Sequence, residues 1–351
     1  MTALPLNLGK LHTWSPPAHW LKITTIDAHT AGEPFRVITG GLPNLEGKTI
    51  LARRRFLRDH LDHLRTALMW EPRGHADMYG CIVTPPVTPD AHFGVLFLHN
   101  EGYSSMCGHG IIGIAKVALE TGLVAARAPE TALRIDTPAG LVTAYAQVQD
   151  DGVGEVRFRN VPSFVLALDE TVEVAGLGRV AYDLAFGGAF YAFVRAQDVG
   201  LRCVPEDFPN LVAKGRAIKQ AIMATRDIPH PFEADLSFLY GTIFVDRAHN
   251  ADHHSRNVCI FADGEVDRSP TGTGVSARLA LHHARGEIGV DQTITIESIL
   301  GTCFDGRVVG TTSFDAFDAV VPEVTGCAHI TGRHEFLIDP GDPLQNGFVL
   351  R

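Results

Sequence analysis

Two short segments in opposite halves of the chain each combine a small nucleophilic residue with a glycine-rich turn. One reads MCGHGIIGIAKVALETG around Cys107, and the other reads PTGTGVSARLALHHARG around Thr271. In both segments the nucleophilic residue is followed by G-x-G, an apolar run and a glycine fifteen positions on, at Gly122 and Gly286. The repeated pattern predicts two homologous or convergent lobes, each with one helix that begins at a glycine-rich turn.

The chemistry expected at such helix starts is the binding and stabilisation of anions. The first N–H groups of a helix have no intrahelical acceptor and form the positive end of its dipole. A cysteine placed there is expected to have a depressed pKa and to act as a base or nucleophile. Cys107, with His109 two residues on, is the one cysteine in such a setting. Two facing helix starts would grip one carboxylate, while two side chains flank the carbon beside it. That arrangement suits removal of a proton α to a carboxylate.

The elements that must position these residues belong to a strand-rich α/β protein. The apolar run from Gly110 to Leu119 predicts a helix buried inside its lobe. Further helical periods occur at 53–68, at 274–285 and, more weakly, at 210–223, and the first of these has the pattern of an outer amphipathic helix. Runs rich in β-branched and aromatic residues predict strands at 20–29, 80–86, 92–100, 154–168, 190–196, 256–264 and 292–298.

Composition and charge exclude several classes of protein. The chain has 351 residues, 45% of them hydrophobic, and its 30 basic against 40 acidic residues give a net charge of -10, so nucleic acid is not expected as a partner. No window approaches the ~20 apolar residues that span a bilayer, and the first residues lack a signal-peptide pattern, so we expect a soluble, cytoplasmic protein that is not membrane-bound. The six cysteines lie far apart without a CxxC pair, which predicts reduced thiols rather than a zinc site or a disulfide framework.

The motifs taken together resemble the proline racemase family over nearly the whole chain. The matching segments are DAHTAGEPFRV (27–37), GCIVTPP (80–86), HNEGYSSMCGHG (99–110), FGGAFYAFV (186–194), VDRSPTGTGVSARLA (266–280) and ITGRHEFLIDPGDPLQNGF (330–348). Racemases and epimerases of this family carry cysteine at both helix starts, whereas this sequence has Thr271 at the second. The resemblance therefore implies a hydro-lyase that dehydrates trans-3-hydroxy-L-proline, rather than a racemase.

The fold implied by the resemblance is α/β, with two pseudo-symmetric lobes of the diaminopimelate-epimerase type. Each lobe would be a curled sheet around a central helix, with the active site in the cleft between the lobes. The predicted N-terminal lobe is 1–187 with a C-terminal return at 340–351, and the predicted C-terminal lobe is 188–339. FGGAF at 186–190 is the expected crossover.

The resemblance also implies roles for individual residues. Cys107 would be the base, and Thr271, a poor base, would face the other side of the substrate ring. Asp267 would pair with the ring ammonium, which His109 is also placed to contact. The substrate carboxylate would be held by four amides, those of Gly108, His109, Gly272 and Thr273. The expected ligand is a small imino acid, no cofactor such as pyridoxal phosphate and no metal is required, and a homodimer is possible.

Three alternatives remain open from the sequence. An epimerase or racemase acting on 4-hydroxyproline or proline would use Thr271 or a water as its second acid. A metal enzyme is suggested by the 17 histidines, including the pairs at 253–254 and 282–283, although adjacent residues point apart and neither HxxxH nor HxH occurs. A non-catalytic solute-binding protein would keep the carboxylate grip without needing Cys107. His29 and Glu33 in the HTAGEP segment are expected to order the cleft and are assigned no chemistry.

Overall fold

The computed structural model describes residues 8–350, in which eighteen strands and six α-helices alternate with short 3-10 turns. The helices are α1 (Gly9–Thr13), α2 (Ile50–His60), α3 (Asp62–Met69), α4 (Gly108–Glu120), α5 (Phe208–Thr225) and α6 (Gly272–Ala284). The strands are β1 (Leu21–Thr30), β2 (Glu33–Gly40), β3 (Tyr79–Thr84), β4 (Phe93–His99), β5 (Gly102–Ser104), β6 (Glu130–Thr137), β7 (Gly140–Gln149), β8 (Gly152–Arg159), β9 (Ser163–Val174), β10 (Gly178–Phe186), β11 (Phe190–Arg195), β12 (Leu239–Asp246), β13 (Ser255–Phe261), β14 (Glu265–Val266), β15 (Thr293–Glu297), β16 (Cys303–Phe314), β17 (Phe317–Gly326) and β18 (Ala328–Ile338). All seven predicted strand regions contain strands.

The strand pairings repeat between the two halves. In the first half the order is β18-β1-β2-β3-β4-β6-β7-β8, with parallel pairs at β2–β3 and β4–β6. In the second half the order is β9-β10-β11-β12-β13-β15-β16-β17, with parallel pairs at β11–β12 and β13–β15. Strand β17 pairs both with β9, which closes the second ring, and with β8, which joins the two halves. This repeat of curled sheets confirms the predicted fold class.

Each half wraps around one central helix, as the apolar run predicts. From 108 to 119 every α4 residue except Lys116 is buried, and α6 is buried from 272 to 281. Both helices end where the spacing predicts, because Gly122 and Gly286 adopt positive φ angles of 74° and 70° just beyond them. Glycine adopts this left-handed conformation at little cost and so terminates a helix.

The outer helix predicted at 53–68 is two helices, α2 and α3. Leu61 interrupts them with φ −131° and ψ 16°, while Asp62 turns its carboxylate to the Arg65 guanidinium and the Tyr103 hydroxyl. The predicted apolar side packs as expected, since Leu57 and Leu64 are buried against the sheet. The prediction of one continuous helix is wrong because Tyr103, distant in sequence, fixes the start of the second.

The chain returns to the first strand through β18, which pairs with β1 from Ile338 to Ala328. The lobe boundaries, 1–187 with a return at 340–351 and 188–339, stay a prediction. The FGGAF segment lies where the halves meet, since the Ser105 hydroxyl and the Asn160 amide donate to the carbonyls of Gly188 and Gly187 at 2.6 and 2.7 Å. No helix within residues 8–350 is long and apolar enough to cross a membrane.

Candidate active site

The starts of the two central helices face each other at a pair of glycines. A Cβ atom added to Gly108 would lie 2.5 Å from the Gly272 Cα, and one added to Gly272 would lie 2.7 Å from the Gly108 Cα. The Phe158 ring closes the same contact at 2.9 Å from the first of these positions. Only glycine permits this approach, which brings two sets of helix N–H groups to one place.

One small cavity lies beside this contact and gathers every predicted site residue. Its volume is about 20 Å³, and its wall is formed by Tyr79, Met106, Cys107, Gly108, His109, Tyr191, Tyr240, Cys259, Phe261, Asp267, Thr271, Gly272 and Thr273. A space of this size holds about one water molecule. A proline-sized ligand is larger than this space, so the cavity wall must shift to admit one.

Cys107 is the N-cap residue of α4, with φ −146° and ψ 111°. Its Sγ accepts from the Gly110 N–H at 3.2 Å and lies 3.2 Å from the His109 Nδ1. Burial nevertheless raises the pKa of the thiol well above its usual range, although Tyr79 and the Gly110 amide act to lower it. The predicted depression of the pKa is wrong for the closed cleft, because desolvation of a thiolate outweighs the helix start.

His109 presents a neutral imidazole to the cysteine. Burial lowers its pKa to about 3, and the ring is held edge-on against Phe35 and Tyr79 at centroid distances of 5.8 and 4.7 Å. Its carbonyl accepts a hydrogen bond from the Thr30 hydroxyl at 2.9 Å. The imidazole is therefore a neutral hydrogen-bond partner of the thiol.

Thr271 begins α6 in a different way. Its φ is +66°, a left-handed conformation that a β-branched residue adopts at a cost in free energy, and its side chain does not cap the helix. The Thr271 N–H donates to the Ser269 hydroxyl at 3.1 Å, and the Asn257 amide holds the Pro270 carbonyl at 3.2 Å. The Thr271 hydroxyl is buried and has no hydrogen-bond partner among residues 8–350. It lies in the cavity wall, available to a ligand.

Asp267 belongs to a buried acidic cluster around Arg268. Burial raises the pKa of Asp267 to about 6, while hydrogen bonds from Ser269 lower it. Glu33 accepts from the Arg268 N–H at 2.6 Å, and Asp77 pairs with the Arg268 guanidinium at 2.7 Å. Burial, and next the charge of Asp267, raise the pKa of Glu33 well above its usual range. This cluster makes the cavity favourable for a cation that pairs with Asp267.

The HTAGEP segment orders the cleft through one of its two named residues. Glu33 contacts the loop that carries Asp267, as described above. His29 instead lies against His329 at a ring distance of 5.2 Å, in a separate surface cavity that also includes Cys303 and Cys327.

Six cavity residues were missed from the sequence: Tyr79, Met106, Tyr191, Tyr240, Cys259 and Phe261. The Tyr191 hydroxyl lies 2.7 Å from the Thr273 hydroxyl, and the Tyr79 hydroxyl bonds to that of Ser104. Tyr191 lies inside the FGGAFYAFV motif, which was a usable signal, whereas Cys259 has the sequence context of an ordinary core thiol.

The adjacent histidine pairs lie outside this cavity. His253 pairs with Glu297 at 2.9 Å, and His282 approaches the Arg278 guanidinium at 3.0 Å. Across the described range 8–350, no three His, Cys, Asp or Glu side chains are grouped so that they could hold a metal ion.

Comparison with known proteins places this geometry in context. The family model described as proline racemase matches residues 25–349. The trans-3-hydroxy-L-proline dehydratase of Colwellia psychrerythraea is 53% identical over 345 residues, covering 97% of each chain, and that of Homo sapiens is 47% identical over 335 residues, covering 94% of this chain and 95% of its own. The crystal structure of a hydroxyproline epimerase from Agrobacterium vitis with bound trans-4-hydroxy-L-proline superposes with a TM-score of 0.89 at 33% identity, over 94% of this chain and 96% of that one.

Proposed function

We propose that this chain, which belongs to the proline racemase family, is a hydro-lyase that removes water from trans-3-hydroxy-L-proline. The observation that carries the proposal is the asymmetry of the two facing helix starts. One offers the thiol of Cys107 and the other the hydroxyl of Thr271, into the same cavity. A thiol at one helix start only suits an elimination that needs a base on one ring face.

The substrate carboxylate binds between the two helix starts in this proposal. The N–H groups of Gly108 and His109 approach it from one helix, and those of Gly272 and Thr273 from the other. The ring ammonium pairs with Asp267. As the α-proton leaves, negative charge develops on the α carbon and spreads into the carboxylate. The same N–H groups stabilise this charge, and each is typically worth about 3 kcal/mol.

The stereochemistry of the substrate then requires one base. Its hydroxyl is trans to the carboxylate and so lies on the same ring face as the α-hydrogen, which makes the loss of water a syn elimination. The thiolate form of Cys107 takes the α-hydrogen and becomes a thiol. The C3–O bond breaks, and the departing oxygen takes a proton and leaves as water. The product is Δ2-pyrroline-2-carboxylate, which tautomerises to the Δ1-imine.

The reaction is redox-neutral, and its proton transfers are carried by side chains, so the proposal is of a cofactor-independent enzyme with a catalytic cysteine. A cytoplasmic location accords with six free cysteines, four of them buried.

Product analysis tests the proposal directly. Purified protein would be given trans-3-hydroxy-L-proline, trans-4-hydroxy-L-proline and L-proline in deuterated water. We expect an imine, trapped as proline by borohydride, from the 3-hydroxy compound alone. Inversion of the 4-hydroxy compound or of proline, with no imine, would establish the epimerase or racemase alternative instead.

Asp267→Asn should raise KM and lower kcat together. The change keeps the shape of the side chain and removes the charge that pairs with the ammonium. Without that charge the ring nitrogen loses its proton more readily, which makes the α-hydrogen less acidic. The loss of one partner from a buried charge pair costs about 2–5 kcal/mol, so kcat/KM should fall on the order of 30- to 5000-fold. Steady-state kinetics measure it, and unchanged kinetics would make Asp267 a structural residue of its turn.

The pH profile separates the charge of Asp267 from its shape. Since its pKa is raised to about 6, a proton competes with the ammonium below that pH, and kcat/KM should fall as pH decreases through about 6. Asp267→Asn should abolish this acid limb. Asp77→Asn, which removes a carboxylate of the same cluster outside the cavity wall, should leave the limb in place.

A further inference from the structure

We propose that Tyr79 is the general acid that protonates the departing 3-hydroxyl group, while Cys107 acts only as the base. The inference rests on the dehydration proposed above and assigns the second proton transfer of that reaction to a residue that the sequence analysis did not select.

Tyr79 is fixed beside the base. It is 2% exposed and lies in the same cavity wall as Cys107. Its ring stacks on His99 at 5.7 Å and meets the edge of His109 at 4.7 Å, and its hydroxyl bonds to the Ser104 hydroxyl. The Nδ1 of the same His109 ring lies 3.2 Å from the Cys107 Sγ. These contacts hold the phenol beside the base.

The stereochemistry favours this hydroxyl over those of Tyr191 and Thr271. Since the α-hydrogen and the 3-hydroxyl leave from the same ring face, the acid must stand on the side of Cys107. Tyr191 belongs to the other side, because its hydroxyl is engaged at 2.7 Å by the hydroxyl of Thr273 at the start of α6. The Thr271 hydroxyl belongs to that side as well, because Thr271 is the residue directly before α6.

The protons balance within these two side chains. The Cys107 thiolate takes the α-hydrogen and becomes a thiol. The electron pair of the C–H bond forms the ring double bond, the C3–O bond breaks, and the Tyr79 O–H gives its proton to the leaving oxygen, which departs as water. The thiol then returns a proton to the Tyr79 oxygen. Without Tyr79 as the acid, the Cys107 sulfur would have to accept the α-hydrogen and donate a proton to the leaving oxygen in the same event.

A change of leaving group tests the assignment. Fluoride needs no proton to leave, so trans-3-fluoro-L-proline bypasses the acid while it still requires the base. Tyr79→Phe should lower kcat for trans-3-hydroxy-L-proline by about 100-fold or more, because general acid catalysis contributes on the order of 10²–10⁴-fold. Fluoride release by the same variant should stay close to that of the wild type. Tyr191→Phe, the matched control, should change both substrates in parallel and leave their ratio as in the wild type.

The outcomes separate the acid role from the proposed function. Equal losses on both substrates, or full dehydration by Tyr79→Phe, would overturn the acid role while wild-type dehydration stands. Absence of dehydration by the wild type would overturn the proposed function, and the acid role with it. If Tyr79→Phe does not fold, Ser104→Ala serves instead: it removes the neighbour of the Tyr79 hydroxyl and should selectively impair the hydroxy substrate, and an unchanged ratio would overturn the acid role.

Discussion

Cys107→Ala should reduce dehydration of trans-3-hydroxy-L-proline to background, a loss on the order of 10⁴-fold. Cys107 is the one thiol that caps a helix start, and its sulfur lies between the Gly110 N–H and the His109 ring, each at 3.2 Å. Alanine removes the base and leaves the helix contact of Gly108 unaltered. Imine formation, trapped with borohydride, measures the loss, and wild-type turnover in Cys107→Ala would contradict the base assignment.

Cys107→Ser gives a sharper form of the same test. Serine keeps a small polar side chain at the helix start, but its hydroxyl is far less acidic than a thiol. Turnover should therefore be nearly as low as in the alanine variant, while substrate binding, measured by calorimetry, persists. A solute-binding protein would bind the ligand in all three forms and turn over none of them, including the wild type.

The other five cysteines provide matched controls. Cys81 is fully buried on β3 outside the cavity, so Cys81→Ala should lower stability and retain activity. Cys259→Ala is the closer control because this thiol lies in the cavity wall, yet not at a helix start. Retained turnover in both variants would restrict the essential thiol to Cys107.

The residues that sequence alone could place are those whose positions follow from local physics. Cys107 and Thr271 stand directly before a glycine turn and an apolar run, so the helix starts at 108 and 272 and their stops at Gly122 and Gly286 follow from spacing. The all-apolar face of α4 likewise requires burial inside a sheet. The repeat of the two segments also predicts that the two helix starts face each other.

The rest of the cavity wall depends on contacts between distant strands. Tyr79, Tyr240 and Cys259 lie on β3, β12 and β13, whose inner portions are buried on both faces. Such strands show no apolar and polar alternation, so the sequence does not reveal which side chains face the cleft.

The prediction of a lowered pKa for Cys107 is wrong for a related reason. A helix start lowers the pKa of a thiol locally, and the Gly110 N–H does so here. The closure of two halves over the sulfur is a tertiary effect, and desolvation then dominates. The sequence does not predict the left-handed backbone of Thr271 either, because nothing in PTGTG requires φ +66° for a threonine.

Thr271→Cys should place a thiol at the second helix start and, with it, allow inversion of the substrate. A two-base inversion needs an acid on the ring face opposite Cys107, and a threonine hydroxyl, whose pKa is far above neutral, does not serve. The wild type should therefore produce no D-proline from L-proline. The variant should invert trans-4-hydroxy-L-proline or proline at least about 100-fold faster than the wild type, since a general acid contributes on the order of 10²–10⁴-fold.

The structure around Thr271 should accommodate a cysteine without rearrangement of the helix start. The Thr271 side chain is buried in the cavity wall, and a cysteine there keeps a small group with a weak hydrogen-bond donor. Cysteine is close in volume to threonine and lacks its β-branch, which should ease the strain at φ +66°. Thr271→Ser, which keeps a hydroxyl and removes the same branch, should gain no inversion. Chiral chromatography of both substrates after incubation with the three proteins measures the outcome. Ready inversion by the wild type, or equal gains in the serine and cysteine variants, would overturn the argument that the missing thiol separates elimination from inversion.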